Sequence, residues 1–430
     1  MTQNGTTKLF ALSAVFAAMI PAMQANAAGF QVGEHSAAGL GRAFAGEAAI
    51  ADDASVVARN VAGMSFLEGR TFTGAVSYIK PVVEIENNVS GALSPLSPSG
   101  KDKAVANEAI VPVFYYVAPV NDKLSYGVGG FTNYGFTTDF SKSTGVTPAA
   151  DYSEVMSYNL NASLSYKLQD NLSVGFGANA VYVKAQLTNT LGFDIPTMGI
   201  KAGTLMDVKG DDWGYGWNVG ILWEPVSGTR IGASYRSSVK TTLEGKAKSD
   251  IVNGTITPTD YNSKGSVDLE LPSIAELSVY QQINENLAVH ASYMKTGWSS
   301  FEEIVIDLDN GAKVVDKQGY NDASRWAVGA TYKYSKAWTL RAGYAYDNSP
   351  VGNVDRSFRI PDTDRQWYSF GAKYKLNSQQ SIDLGYAFLK ADKAKIEDEF
   401  EFAGNSLAKF EGEVVSGNAH IFSIQYNQTF

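Results

Sequence analysis

The sequence predicts an all-β protein: a 14-stranded antiparallel transmembrane β-barrel, plugged by an N-terminal hatch. Three observations predict it. Apolar and polar residues alternate with period two through most of residues 71–430. No apolar run after Ile20 is long enough for a membrane helix. Short and long polar connections take turns along the chain. Alternating strands show one face to lipid and the other to water, and hydrocarbon tolerates them only in a closed wall, where no backbone group is left unpaired.

The first segment is an export signal. Met1–Lys8 is polar and carries Lys8, Leu9–Ile20 is apolar, Pro21 ends the run, and Ala25-Asn26-Ala27 offers the small residues read by a signal peptidase. Residues 1–27 are therefore expected to be removed, giving a mature chain that begins Ala28-Gly29-Phe30-Gln31. The apolar run is too short to anchor the chain in about 30 Å of hydrocarbon.

The formal net charge of −9 argues against nucleic acid as a partner. With no cysteine, the exported chain holds together without disulfides. Its 23 Tyr, 21 Phe and 7 Trp suit the aromatic girdles of an outer-membrane barrel.

Residues 28–70 are rich in Ala and Gly and show no sustained alternation. They are expected to form the hatch, because a 14-stranded wall encloses a lumen that must be filled or left to conduct water. Residues 71–430 form the expected barrel. Its lipid-facing sets include the even residues of 158–166, 172–182, 338–346 and 382–388, and the odd residues of 213–223. Several of these sets carry an aromatic residue at each end. The last strand shows Phe422, Ile424, Tyr426 and Phe430 on one face and Ser423, Gln425, Asn427 and Thr429 on the other. A terminal strand of this kind looks like the signal for the barrel-assembly machinery.

Short turns are read at 119–122, 168–171, 226–228, 283–286, 335–337 and 377–380. Longer polar connections are read at 86–106, 136–154, 188–212, 245–265, 309–322, 348–365 and 392–416. They join 14 strands when 286–308 is taken as one long strand. The short turns face the periplasm.

Catalysis has little support. The three histidines, His35, His290 and His420, have no local nucleophile and no zinc spacing, so neither an enzyme nor a cofactor is expected. Asp307-Leu308-Asp309-Asn310-Gly311 is half of a calcium loop with its Gly one place early and no closing Glu, and is read as a loop-tip turn. Parity is more informative. With Trp326, Trp338 and Tyr235 facing lipid, Arg325, Arg341 and Arg236 face the lumen, as do Glu276 and Asp383. They are expected to bind the hatch, whose own charges include Arg42, Glu47, Asp52, Asp53 and Arg59; attraction of an anionic substrate is the alternative.

Several motifs carry a family resemblance. Ala28–Gln31, Ser36–Glu47, Ala49–Ser55, Asn133-Tyr134-Gly135, Trp213–Ile221 and Ile360-Pro361-Asp362-Thr363-Asp364-Arg365 resemble the long-chain fatty acid transporters of the bacterial outer membrane, the FadL and outer-membrane protein P1 family. The resemblance covers the whole mature chain. It implies capture of a fatty acid on the outer loops, transfer to an apolar pocket where basic side chains hold the carboxylate, and release by rearrangement of the hatch near Gly29 and Phe30. It also implies lateral exit at a kink in strand three, at Asn133, Tyr134, Gly135 and Phe136. Gly in a strand marks such a break.

Where the family's hatch reads Asn-Pro-Ala, this chain reads Asn60-Val61-Ala62. The two basic positions of the carboxylate site fall at Asn189, which is uncharged, and Lys317; Lys184 is near but has outward parity. The expectation is passive uptake by a monomer in the outer membrane of a Gram-negative bacterium. The expected partners are a long-chain fatty acid or another hydrophobic small molecule, and outer-membrane lipids with lipopolysaccharide. The alternatives are a transporter of neutral aromatic or alkane hydrocarbons, or a surface barrel for adhesion or phage contact.

Overall fold

The computed structural model describes residues 29–430 apart from 92–93, 96, 98, 104, 142–143, 197–199, 251–261, 312, 353–354 and 403–404. The expected signal peptide lies outside these residues, as does much of the connection read at 245–265.

Fourteen wall strands follow in order. They are β1 (Thr71–Ser90), β2 (Ala109–Pro119), β3 (Leu124–Phe131 with Gly135–Asp139), β4 (Tyr152–Gln169), β5 (Leu172–Leu191), β6 (Gly203–Val226) and β7 (Thr229–Arg236 with Val239–Lys248). The rest are β8 (Ser263–Leu271 with Ile274–Gln282), β9 (Leu287–Thr296 with Glu303–Leu308), β10 (Lys313–Lys317 with Ala323–Lys333), β11 (Trp338–Asp347), β12 (Arg365–Lys375), β13 (Gln380–Ala391 with Ala394–Phe402) and β14 (Asn405–Thr429). Neighbours in sequence pair antiparallel, and β1 closes on β14 from Thr71↔Thr429 to Ser90↔Lys409. The wall therefore has no free edge where it closes.

Alternation sets the two faces. Phe176, Tyr215, Trp326, Phe370 and Ile424 are exposed, while their neighbours Ser173, Arg325, Ser369, Ser423 and Gln425 are buried against the lumen filling. An apolar exterior this broad is stable only against lipid. The expected parity holds: Arg325, Arg341, Glu276 and Asp383 are buried, and Trp326, Trp338 and Tyr235 are exposed.

Residues 29–67 fill the lumen. They form two single-turn helices, α1 (Ala37–Leu40) and α2 (Val56–Arg59), and a 3₁₀ segment at Val61–Phe66. Most of their side chains are buried. Ser36 caps α1 by accepting from the Gly39 amide at 2.9 Å. Wall arginines hold hatch carbonyls: Arg325 donates to Ala43 O at 3.0 Å and Arg236 to Ala58 O at 2.9 Å. Arg59 pairs with Glu276 at 2.8 Å, while Arg42 and Glu47 pair within the hatch at 2.7 Å. Glycines bring wall and hatch backbones together. A Cβ on Gly232 or Gly343 would overlap the Ala48 or Arg42 carbonyl, and one on Gly385 would lie 2.6 Å from Ala37 O.

Two readings of the sequence change. The long polar segments are partly wall: β6 starts at Gly203, β7 runs to Lys248, and Ala394–Phe402 pairs with β14. Outside hydrocarbon both faces of a strand can be polar, so the ladder continues after the alternation has faded. The stretch 286–308 is a single wall strand, but a 3₁₀ turn at Trp298–Ser300 breaks it and turns Trp298 inward, where it is fully buried. Of the half calcium loop, Asp307 and Leu308 end the outer piece of β9 and Leu308–Gly311 is a turn, with the Gly311 amide donating to Leu308 O at 2.9 Å and Gly311 at φ +86°.

Candidate functional site

Toward the outer end of the barrel lies an apolar pocket. Phe136 of β3, Val155 of β4, Leu187 of β5, Leu243 of β7, Leu269 of β8 and Ile304 of β9 line it, with Phe301 and Ile360. Inward parity brings these apolar side chains together from strands far apart in sequence. The cavity volume is about 40 Å³, far below the roughly 300–1,000 Å³ of a ligand pocket, so the pocket is closed while Phe30 is seated. Of the charged residues on its lining, Lys209 is exposed and Arg359 is buried.

Arg359 belongs to the connection between β11 and β12. Its Nη1 donates to Ser153 Oγ at 3.0 Å, and its Nη2 donates to Ala149 O at 3.2 Å and Asn189 Oδ1 at 2.9 Å. Its Nε faces Asp316 Oδ2 at 3.7 Å. Burial presses its pKa below the usual value, and Asp316, Asp398 and Asp151 oppose that fall. A guanidinium fixed at the wall of an apolar pocket is suited to a carboxylate on an apolar tail.

Phe30 stops the pocket from below. Its ring lies 4.5 Å from Trp298, 5.4 Å from Phe301, 5.6 Å from Phe136 and 6.0 Å from Tyr134, between centroids. The Gly29 amide donates to Asp362 Oδ2 at 2.9 Å, and Asp362 also bonds Ser349 Oγ and Arg365. Gly29 adopts φ +66°, and a Cβ there would lie 2.6 Å from the Trp298 ring. Glycine alone meets both demands.

The same segment seals a break in the wall. β3 pairs with β2 only from Phe114↔Gly130 to Pro119↔Ser125; its outer piece pairs with β4 alone. The outer end of β2, from Ala109, thus faces no strand-three partner among the described residues. Between the two pieces, hatch backbone supplies the missing bonds. Val32 N donates to Asn133 O at 2.7 Å, and Gly135 N donates to Phe30 O at 2.8 Å. His35 Nε2 donates to Thr132 O at 3.0 Å, and Tyr115 Oη donates to His35 O at 3.0 Å.

A family model described as "Outer membrane protein transport protein (OMPP1/FadL/TodX)" matches residues 18–430. The chain belongs to this family. A long-chain fatty acid transport protein of Escherichia coli O6:H1 (strain CFT073) is 37% identical over 98% of this chain and 99% of its own. Outer membrane protein P1 of Haemophilus influenzae (strain Rd) is 34% identical over 96% and 98%. The crystal structure of a Pseudomonas aeruginosa FadL homologue superposes with TM-score 0.83 at 25% identity, covering 94% of this chain and 100% of that one. The toluene transporter TbuX of Ralstonia pickettii, at 19% identity and TM-score 0.64, shares the fold. As a FadL-family member the chain is a Gram-negative outer-membrane transport barrel and not an enzyme.

The FadL-type site expected from sequence is only partly assembled. Phe30 and Gly29 sit at the floor of the pocket, and Phe136 is in its lining. Asn133 and Tyr134 lie between the pieces of β3, where Gly135 begins the outer one. Asn60, Val61 and Ala62 lie deeper. Asn60 donates to Ala48 O at 2.6 Å and Ile221 O at 2.9 Å, and Ala62 O accepts from Ser173 at 2.7 Å. Asn189 reaches the pocket only as a partner of Arg359.

Lys317 does not join them. It is exposed, and the inward residue is its neighbour Asp316, which faces Ile304 across the ladder. Counting parity from Trp326 would turn Lys317 inward, but the interruption between Lys317 and Ala323 shifts the count by one and flips the outer piece. The charge that sequence reasoning missed is Arg359. Its signal was its position immediately before Ile360-Pro361-Asp362, a motif singled out for resemblance and not for charge.

Proposed function

We propose that this barrel moves long-chain fatty acids passively across the outer membrane, holding the carboxylate on Arg359 and the alkyl chain in the pocket above Phe30. The observation that carries this reading is the buried Arg359 guanidinium in a wall whose other lining residues, the exposed Lys209 apart, are uncharged. Two relatives above 30% identity that span nearly the whole chain are called long-chain fatty acid transport proteins. The toluene transporters among its structural relatives share the fold at under 20% identity.

The route follows from what can move. Residues 37–65 rest on wall glycines and buried arginines, so they stay. Residues 29–35 have no such support and are held by Phe30 and by separate hydrogen bonds to Asp362, Thr296, Tyr115 and the break in β3. With the carboxylate held on the fixed Arg359, the alkyl chain behind it presses on Phe30 and strains the adjoining Gly29–Asp362 bond. Phe30 then leaves the pocket, and Gln31–Val32 leaves the break in β3. Pocket and wall open together, and the ligand slides sideways into lipid. That route keeps the alkyl chain out of water, which is worth about 0.8 kcal/mol per CH₂. Phe430 and the alternating end of β14 serve as the assembly signal, and outer-membrane lipid with lipopolysaccharide surrounds the barrel.

The test is binding of oleate and of an alkane of equal length to the purified protein, with and without Arg359→Gln. Oleate should bind the wild type more tightly than the alkane, and the variant should lose about tenfold to a hundredfold of oleate affinity alone. Equal binding of both ligands, unchanged by the variant, identifies a carrier of neutral hydrocarbons.

A further inference from the structure

We infer that Asp316 is the resident counter-ion of Arg359 and that an incoming carboxylate takes its place, so that Asp316 sets how strongly the pocket prefers acids to neutral ligands of the same length. This rests on the proposed carboxylate site.

Three features single out Asp316. Its position is inward: Asp316 lies opposite Ile304 in the β9–β10 ladder, and residues directly opposite share a face. Ile304 is buried in the pocket lining. Its contact with Arg359 is loose, 3.7 Å from Nε to Oδ2, while the other guanidinium bonds are 2.9–3.2 Å. Its side chain is 45% exposed, against 7% for Arg359.

These differences decide which partner yields. Ser153, Ala149 and Asn189 hold the Nη atoms and keep the guanidinium plane fixed when Asp316 leaves. Asp316 can move into water without losing solvation, and Gln318, just past the end of the strand piece, bonds it. Asp398 is less free, because its carboxylate accepts from the backbone amides of Phe358 at 3.3 Å and Glu399 at 2.9 Å. A guanidinium buried without a counter-charge is costly, so Asp316 keeps the site neutralised between ligands. A ligand carboxylate restores the same pairing, and a neutral chain end leaves the Asp316 pair in place. Asp316 therefore competes with acids and not with alcohols.

The experiment measures binding of oleate and of oleyl alcohol to the full-length protein in lipid nanodiscs. The proteins compared are the wild type, Asp316→Asn, Asp316→Ser, Arg359→Gln and the Asp316→Asn/Arg359→Gln double variant. Asp316→Asn should tighten oleate about three- to fivefold, the scale of a half-exposed ion pair, and leave the alcohol unchanged. Asp316→Ser should do the same, and the gain should vanish in the Arg359→Gln background. If Asp316→Asn leaves oleate affinity unchanged or weakens it while Arg359→Gln still weakens oleate selectively, counter-ion exchange is wrong and the carboxylate site stands. If Arg359→Gln has no effect on oleate, both are wrong.

Discussion

The backbone amide of Gly29 donates to Asp362 at 2.9 Å, joining residues 333 positions apart. Three positions before Asp362 stands Arg359, the buried charge of the pocket. One short segment therefore holds both the proposed ligand anchor and the tether of the hatch. Asp362→Asn weakens the charge-assisted hold on Gly29 and on Arg365. The expected result is faster amide hydrogen exchange at Gln31 and Val32 with the barrel intact. Unchanged exchange there would mean that packing of Phe30 alone secures the segment.

Phe30 is fully buried among four aromatic rings. Truncating a buried Phe to Ala costs about 3–5 kcal/mol where the site cannot collapse. Here the loss falls on the closed state, because the open state has already withdrawn the ring. Phe30→Ala should leave barrel folding unchanged, as judged by heat-dependent gel mobility. It should also raise the reactivity of a cysteine placed at Trp298 toward a membrane-impermeant thiol reagent.

Wall glycines fix the remainder of the hatch. A side chain at Gly343 would overlap the Arg42 carbonyl, and Arg42 cannot retreat while it pairs with Glu47. Gly343→Val, with its side chain still in a regular strand, should displace the hatch and open the lumen to water. Ion conductance in planar bilayers should rise well above wild type, whereas Gly74→Ala, whose Cβ meets only Phe72 at 3.4 Å, should not alter it. A closed Gly343→Val pore would show that the hatch can yield at the wall glycines.

Much of the wall was legible because hydrocarbon permits one arrangement. Arg325 and Arg341 had to face inward once Trp326 and Trp338 faced out, and they do. The outer ends were not legible: the exposed face of β6 runs past Lys209 and Asp211 with no apolar stripe to mark it. The outward turn of Lys317 was not legible for a related reason. Lys317 has the right charge, but the interruption at 318–322 reverses its face, and no local pattern records such a slip. Arg359 lies in a connection without periodicity, and only tertiary packing brings it to Asn189, 170 positions away.

Glu34 and His35 make the seal's response to pH a matter of cancellation. Burial pushes the Glu34 carboxyl up to about 7 from 4.5, and burial with nearby Arg59 and Arg236 holds His35 down to about 3 from 6.5. A raised carboxyl favours the seated segment below pH 4.5, and that advantage is lost as pH rises toward 7. A depressed imidazole favours it above pH 6.5, and that advantage is lost as pH falls toward 3. Between about pH 4.5 and 6.5 the two slopes oppose each other, so the wild-type seal should change little. Glu34→Gln should expose the histidine and make the seal firmer from pH 4.5 to 6.5. His35→Gln, which keeps a donor for Thr132 O, should expose the carboxyl and make it weaker over the same range. Hydrogen exchange at Val32 and Gly135 reads both. Parallel pH profiles for the two variants would mean that neither group changes protonation when the segment unseats.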